Sequence, residues 1–224
     1  MNSTQLKIIQ EKKQANNETE HLQALLVHVK EALRRGLSAR KRMTKNNPAT
    51  SGGQYFYSEV TRALRELLKP FGYEALSLRN VELTINKDKA ISIYLCGGCD
   101  QTGNKFGVPQ SSTDKGDFTL DLFSLKYDDL PNLDLFPELL PQATPKNKLK
   151  SNIWFLLHHY DKNENRVKAE LAKPVSYNKN GYITGFDLEN RIFINTDFDD
   201  NLDVSIDFND EIDFEIEEIS KANV

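Results

Sequence analysis

No apolar run in this chain approaches the ~18 residues that a membrane-crossing helix needs. The opening residues, Met1-Asn2-Ser3-Thr4-Gln5, lack the charged and then apolar layout of a secretory signal. These two absences predict a soluble, cytoplasmic protein with no membrane partner. Cysteine is scarce as well. Cys96 and Cys99 are the whole supply, too few for a disulfide scaffold and in keeping with a reducing compartment. No second Cys-x-x-Cys completes a four-thiolate zinc site. Neither a dinucleotide fingerprint, nor a nucleophile elbow, nor a Ser/His/Asp set with supporting context occurs.

What is present is strongly polarised. Hydrophobic content is 38% and charged content 28% of 224 residues, so part of the length is expected as solvated appendage. Twelve Phe, eight Tyr and one Trp still furnish a core. Residues 1–47 carry ten Lys/Arg against four Glu, whereas residues 197–218 carry eleven Asp/Glu and no Lys or Arg. A gradient of this size bears on partner choice and self-contact. The chain divides accordingly into a basic helical arm (1–50), an α+β core domain (51–195) and an acidic C-terminal segment (196–224).

In the arm, Leu22, Leu25, Leu26, Val29 and Leu33 recur at helical spacing and predict a helix over about 18–37, with a weak point at Asn16-Asn17. His21 and His28 lie seven apart and lack the i, i+4 partner of a helical metal site. They read as packed histidines. Arg34, Arg35, Arg40, Lys41, Arg42 and Lys45 follow within twelve residues. Such a cluster can neutralise phosphates, although cations at a helix C-terminus are also favoured by its dipole. No aromatic residue is interleaved to stack on bases. Asn46-Asn47-Pro48 ends this region, and Ser51-Gly52-Gly53 reads as a flexible joint. Val60, Ala63, Leu64, Leu67 and Leu68 give a second helix over 58–69, stopped by Pro70 and Gly72.

The middle reads as strands. Residues 81–85 and 90–95 form a hairpin, 118–125 alternates as a further strand, and 153–160 is the most continuously apolar segment. Residues 166–171, 182–186 and 191–194 add short strands, whereas 131–145 is an irregular, proline-punctuated connection. Sequential hairpins predict an α+β fold, an antiparallel-rich sheet covered by one or two helices.

The chemistry centres on residues 95–117, which hold both cysteines and five of the eleven glycines. Cys96-Gly97-Gly98-Cys99 has Cys-x-x-Cys spacing without the helix start that activates a redox pair. For zinc it offers two ligands, which His158 or His159 would have to supplement. The simplest reading is two small residues around a tight Gly-Gly turn. The segment from Gly98 to Lys105 misses the phosphate-binding P-loop pattern by an inserted Asn and a missing Ser/Thr. A weaker expectation remains, an anion-binding loop using Gly98, Gly103, Lys105 and Lys115.

Two functions are compatible with these features. One is a non-enzymatic interaction protein associated with nucleic-acid transactions. Its basic arm would touch nucleic acid or an acidic partner, and its acidic end a basic protein or another copy of the chain. The other is a divergent metal-dependent nuclease of restriction-endonuclease-like type. There Asp117, Asp121 and Glu170 would hold Mg²⁺, and Lys168, two residues from Glu170 on an alternating strand, would assist. Glu170-Leu171-Ala172-Lys173 has one residue too many for the Glu-x-Lys element of that fold, which sends Lys173 to the opposite face. In the acidic end, Ile206, Phe208, Ile212, Phe214 and Ile216 recur at period two among carboxylates. That pattern predicts β-like segments, either charge-guarded edge strands or a docking ligand that can imitate a phosphate backbone.

Overall fold

Helical periodicity in the first 70 residues produces three helices. The computed structural model describes residues 3–124 and 152–198. Helices α1 (Ser3–Ala24) and α2 (Leu26–Lys41) meet at Leu25, and α3 (Ser51–Leu68) ends in a 3-10 turn over Lys69–Phe71. Leu22, Leu25, Val29, Leu33 and Leu37 are all buried, so the stripe read from sequence is the docked face. They share one apolar cluster with Phe56, Val60, Ala63, Leu64 and Leu68 of α3. The expected arm therefore packs, from Leu22 onward, into the same core as the sheet. Helices α2 and α3 approach closely at Gly36, where any Cβ would overlap the Val60 side chain.

Ser51-Gly52-Gly53 is the first turn of α3, not a flexible joint. Glycine is tolerated there because the backbone turn over Pro48–Ser51, with the Ser51 N–H donated to the Pro48 carbonyl at 2.9 Å, already fixes the entry.

The strands are β1 (Glu74–Leu78), β2 (Val81–Asn86), β3 (Ile91–Gly97), β4 (Ile153–Asp161), β5 (Arg166–Ala172), β6 (Pro174–Tyr177), β7 (Ile183–Phe186) and β8 (Ile192–Ile194). Six form one sheet in the order β1-β2-β3-β4-β5-β8, and β6 pairs with β7 separately. The fold is thus α+β with a mostly antiparallel sheet. The exception is central: β3 and β4 run parallel, with Ser92 opposite Ile153 and Gly97 opposite His158. A long crossover makes this possible, since 55 residues separate Gly97 from Ile153.

Strand alternation sorts the residues into two cores. Ile91, Ile93, Leu95, Trp154, Leu156, Val167, Ala169 and Leu171 face the helices. Cys96, Ile153, Phe155 and Leu157 face a second layer made by α4 (Asp117–Leu122), β6 and β7.

Residues 118–125, expected as a strand, include this helix α4. Over six residues, periods of two and 3.6 are hard to tell apart. The tertiary reason is firmer. Both edges of β3 are already taken by β2 and β4, which leaves no place for another strand beside it. Gly116 is extended, Asp117 suits the positive helix start, and Leu120 and Leu122 are buried. The proline-punctuated connection at 131–145 and the β-like segments expected beyond residue 198 lie outside the described residues. Among the described residues no helix is long and apolar enough to cross a membrane.

A buried polar contact locks α1 to the sheet. Glu18, 4% exposed, accepts from the Trp154 indole N–H at 3.0 Å and pairs with Lys173. The Lys173 ammonium also lies 5.3 Å from the Trp154 ring centroid. Glu18→Ala strips the indole of its acceptor and leaves a nearly buried ammonium unpaired, so it should cost about 3 kcal/mol in urea unfolding. Emission from Trp154, the single tryptophan, reports the transition. Glu18→Gln, which keeps an acceptor, should lose clearly less.

Candidate basic cleft

Near the end of α2 the six-cation cluster divides by what each side chain meets. Glu31, one turn earlier, holds Arg34 at 2.7 Å and Arg35 at 2.9 Å. Hydrogen bonds from Arg34, and then from Arg35, outweigh burial and hold the Glu31 carboxyl down at about 2. Arg35 also approaches Glu66 at 3.9 Å. These two arginines are occupied within the helical layer. Arg40 is half-buried, with its guanidinium carbon 3.9 Å from the Tyr160 ring centroid. Stacking of this kind fixes a cation without neutralising it. Lys41, Arg42 and Lys45 are exposed.

The turn after α2 is ordered locally. The Thr44 backbone N–H and hydroxyl both donate to Asn47 Oδ1, at 2.8 and 3.2 Å, which sets Lys45 at the tip of the turn. From the sheet, Tyr160 at the end of β4 donates its hydroxyl to Asn165 Oδ1 at 2.6 Å. Arg40, Lys41, Lys45, Thr44, Asn47, Gly52, Tyr160 and Asn165 thereby line one open cleft of about 570 Å³.

Size does not single this cleft out, because three others of about 560 to 620 Å³ lie among the described residues. Charge does. Among the described residues its walls hold three cations and no carboxylate. The others mix signs: Asp114, Asp117 and Asp121 with Lys115 and Lys179; Asp100 and Asp197 with Arg166 and Lys168; Glu18, Glu20 and Asp88 with His21 and Lys89.

Tyr160 and Asn165 were not singled out in the sequence. They lie some 120 residues from Arg40, and only the return of β4 beneath α2 brings them together. Beside them His158 contacts Phe56, with ring centroids 4.6 Å apart. Burial, assisted by His159 and Arg40, pushes its pKa down to about 4. His21 stacks parallel to Tyr73 at 6.1 Å and His28 meets Phe71 at 4.8 Å, which accounts for both helix histidines by ring packing.

The residues expected to hold Mg²⁺ are dispersed. Asp117 and Asp121 line the cleft under α4. Glu170, fully buried, is clamped by Arg191, whose Nη2 lies 2.9 Å and Nε 2.5 Å from its two oxygens. Lys168 shares the face of Glu170, as alternation predicted, but its ammonium is bound to Asp161 at 2.8 Å. That contact comes first among the causes that lower Asp161 to about 2. Among the described residues no three His, Cys, Asp or Glu side chains are gathered in a metal-holding group.

The expected anion-binding loop already has an anion, and it is internal. Gly103, with φ of +75°, donates its N–H to Glu170 Oε1 at 3.0 Å. Gly98 donates to the His158 carbonyl at 2.7 Å. Arg191 then straps the loop by donating to the Gly107 and Asn104 carbonyls. Both N–H groups proposed for an outside anion are thus spent inside the protein. Lys115 donates to Thr113 Oγ1 at 2.9 Å, and Lys105 is exposed. Cys96 and Cys99 are free thiols. Burial pushes Cys96 up to about 11, against a smaller opposing effect of Lys115. No family model matches the chain, and no curated protein or solved structure matches it.

Arg191→Met should leave Glu170 buried without its cation and cost about 3–5 kcal/mol in chemical unfolding. The double change Arg191→Met with Glu170→Leu should recover part of that loss. The histidine shift predicts a pH effect of definite sign. His158 stays neutral in the fold down to about 4, whereas in the unfolded chain it protonates near 6.5. Stability is therefore full above 6.5 and declines as pH falls toward 4. His158→Gln should flatten that part of the urea-midpoint profile, while His21, also shifted down, retains a share.

Proposed function

We propose that this chain is a non-enzymatic interaction protein associated with nucleic-acid transactions, and that the basic cleft at the end of α2 is its contact with the phosphate backbone. The observation that carries the reading is the cleft's lining of three cations without a carboxylate, amid neighbouring clefts of equal size that mix signs. A polyanion gains where several cations line one cleft. Arg40, held on Tyr160, and Lys45, held on the turn closed by Asn47, would bind with little ordering cost. Thr44, Asn47 and Asn165 add neutral hydrogen-bonding groups suited to phosphate and sugar oxygens. The acidic C-terminal segment would serve a basic protein partner or another copy of the chain.

Binding of this type is sequence-tolerant and strongly salt-dependent. With three phosphates neutralised, the slope of log K against log salt for single-stranded DNA should be about −2. Lys41→Ala with Lys45→Ala should make it shallower by about 1.4 and weaken all sequences alike. Arg34→Ala, which removes a cation already paired with Glu31, should change it little. Fluorescence anisotropy with labelled oligonucleotides over a salt series reads all three. Equal sensitivity to Arg34 and to the two lysines would remove the cleft from the reading.

A further inference from the structure

The last described residue, Phe198, lies beside the helix that carries the basic cluster. After β8, the Thr196 hydroxyl donates to the Val167 carbonyl, and Asp197 pairs with Arg166 at 3.4 Å. Arg166 and Asp197 both line the mixed-sign cleft that also holds Asp100 and Lys168. Phe198 then packs against the helical core, with the Lys30 ammonium of α2 5.7 Å from its ring centroid. Lys30 and Arg40 are ten residues apart on one helix, about 15 Å. Five or six residues of extended chain cover that distance. Residues 199–224 provide twenty-six, and they carry ten Asp/Glu against the single Lys221.

We propose that this acidic segment occupies the basic cleft of its own chain and competes there with nucleic acid. The proposal rests on the functional reading above for the identity of the competitor, but not for the docking. Three observations point to this occupant. The chain enters the segment from Phe198, which packs on the helical core beside Lys30 of the helix that carries Arg40. Among the described residues no carboxylate is paired with Arg40, Arg42 or Lys45. The opposite charge lies in the one part of the chain tethered at that point. Tethering makes the contact intramolecular, which raises its effective concentration. Carboxylates spaced along a chain meet the same cations that phosphates would.

The test uses the full-length protein. A water-soluble carbodiimide joins a carboxylate to a lysine amine only when the two are in contact. Treated at low salt, the monomer fraction should yield peptides joining Lys41 or Lys45 to residues 207–217, and about 0.5 M salt should abolish them. The full-length variant with Asp207→Asn, Asp210→Asn, Glu211→Gln, Asp213→Asn, Glu215→Gln and Glu217→Gln should lose these links. That variant should also bind a labelled single-stranded oligonucleotide about tenfold more tightly, the change expected when a competitor filling nine-tenths of the sites is removed. Crosslinks from this segment that avoid Lys41 and Lys45, or that appear only between two chains, would overturn the proposal. Links to Lys41 or Lys45 in the monomer, with no oligonucleotide binding by any variant, would sustain the docking and refute the nucleic-acid reading.

Discussion

Burial of the parallel pair β3 and β4 on both faces is the constraint from which the rest of the molecule follows. Trp154 and Leu156 point into the helical layer, while Ile153, Phe155 and Leu157 point into the layer of α4, β6 and β7. A strand that is apolar on both sides must be covered on both sides. The helices α2 and α3 cover one, and the crossover from β3 to β4 contributes α4 to the other. This arrangement also decides what emerges at the end of β4. Once the apolar run is spent, His158 meets Phe56 and Tyr160 reaches Arg40, so the central strand ends as a wall of the basic cleft.

Two buried carboxylates tie the layers together, one on each face of the sheet. Glu18 connects α1 to Trp154 and Lys173, and Glu170 connects β5 to Arg191 and to the backbone of the glycine-rich loop. A buried ion pair contributes little net stability over an apolar substitute, but it is costly to half-remove. What it supplies here is position. Arg191 reaches two carbonyls of the loop as well as Glu170, which holds a turn-rich stretch against the sheet. The cost is chemical: a carboxylate enclosed by a guanidinium and a backbone N–H is withdrawn from metal binding, and the loop that encloses it has no vacant N–H at Gly103.

The basic cluster shows how tertiary contacts change the meaning of a charge run. Six cations within twelve residues look uniform in sequence. In the fold two share Glu31, one is stacked on an aromatic ring, and Lys41, Arg42 and Lys45 are exposed. An aromatic ring missing from the local sequence is supplied by β4. The electrostatic asymmetry of the whole chain then acquires a geometry, because Phe198, next to the acidic end in sequence, packs beside Lys30 of the helix that carries the cations.

The sequence by itself determined the α+β class, the apolar stripe from Leu22 to Leu33, the helix carrying Val60 to Leu68, the hairpin of β2 and β3, and the shared face of Lys168 and Glu170. Those features are set by local periodicity, which a side chain's own neighbours fix. It also showed where charge of each sign accumulates. The tertiary structure alone decided that β3 and β4 run parallel and that residues 117–122 form a helix. It also decided that Arg40 stacks on Tyr160 and that Arg191 clamps Glu170. In each case the deciding partner is remote in sequence: the occupied edges of β3, the return of β4 beneath α2, and the guanidinium of Arg191 over Glu170. Pairing partners, burial and ion pairing are properties of where distant segments meet, and periodicity carries no record of that meeting.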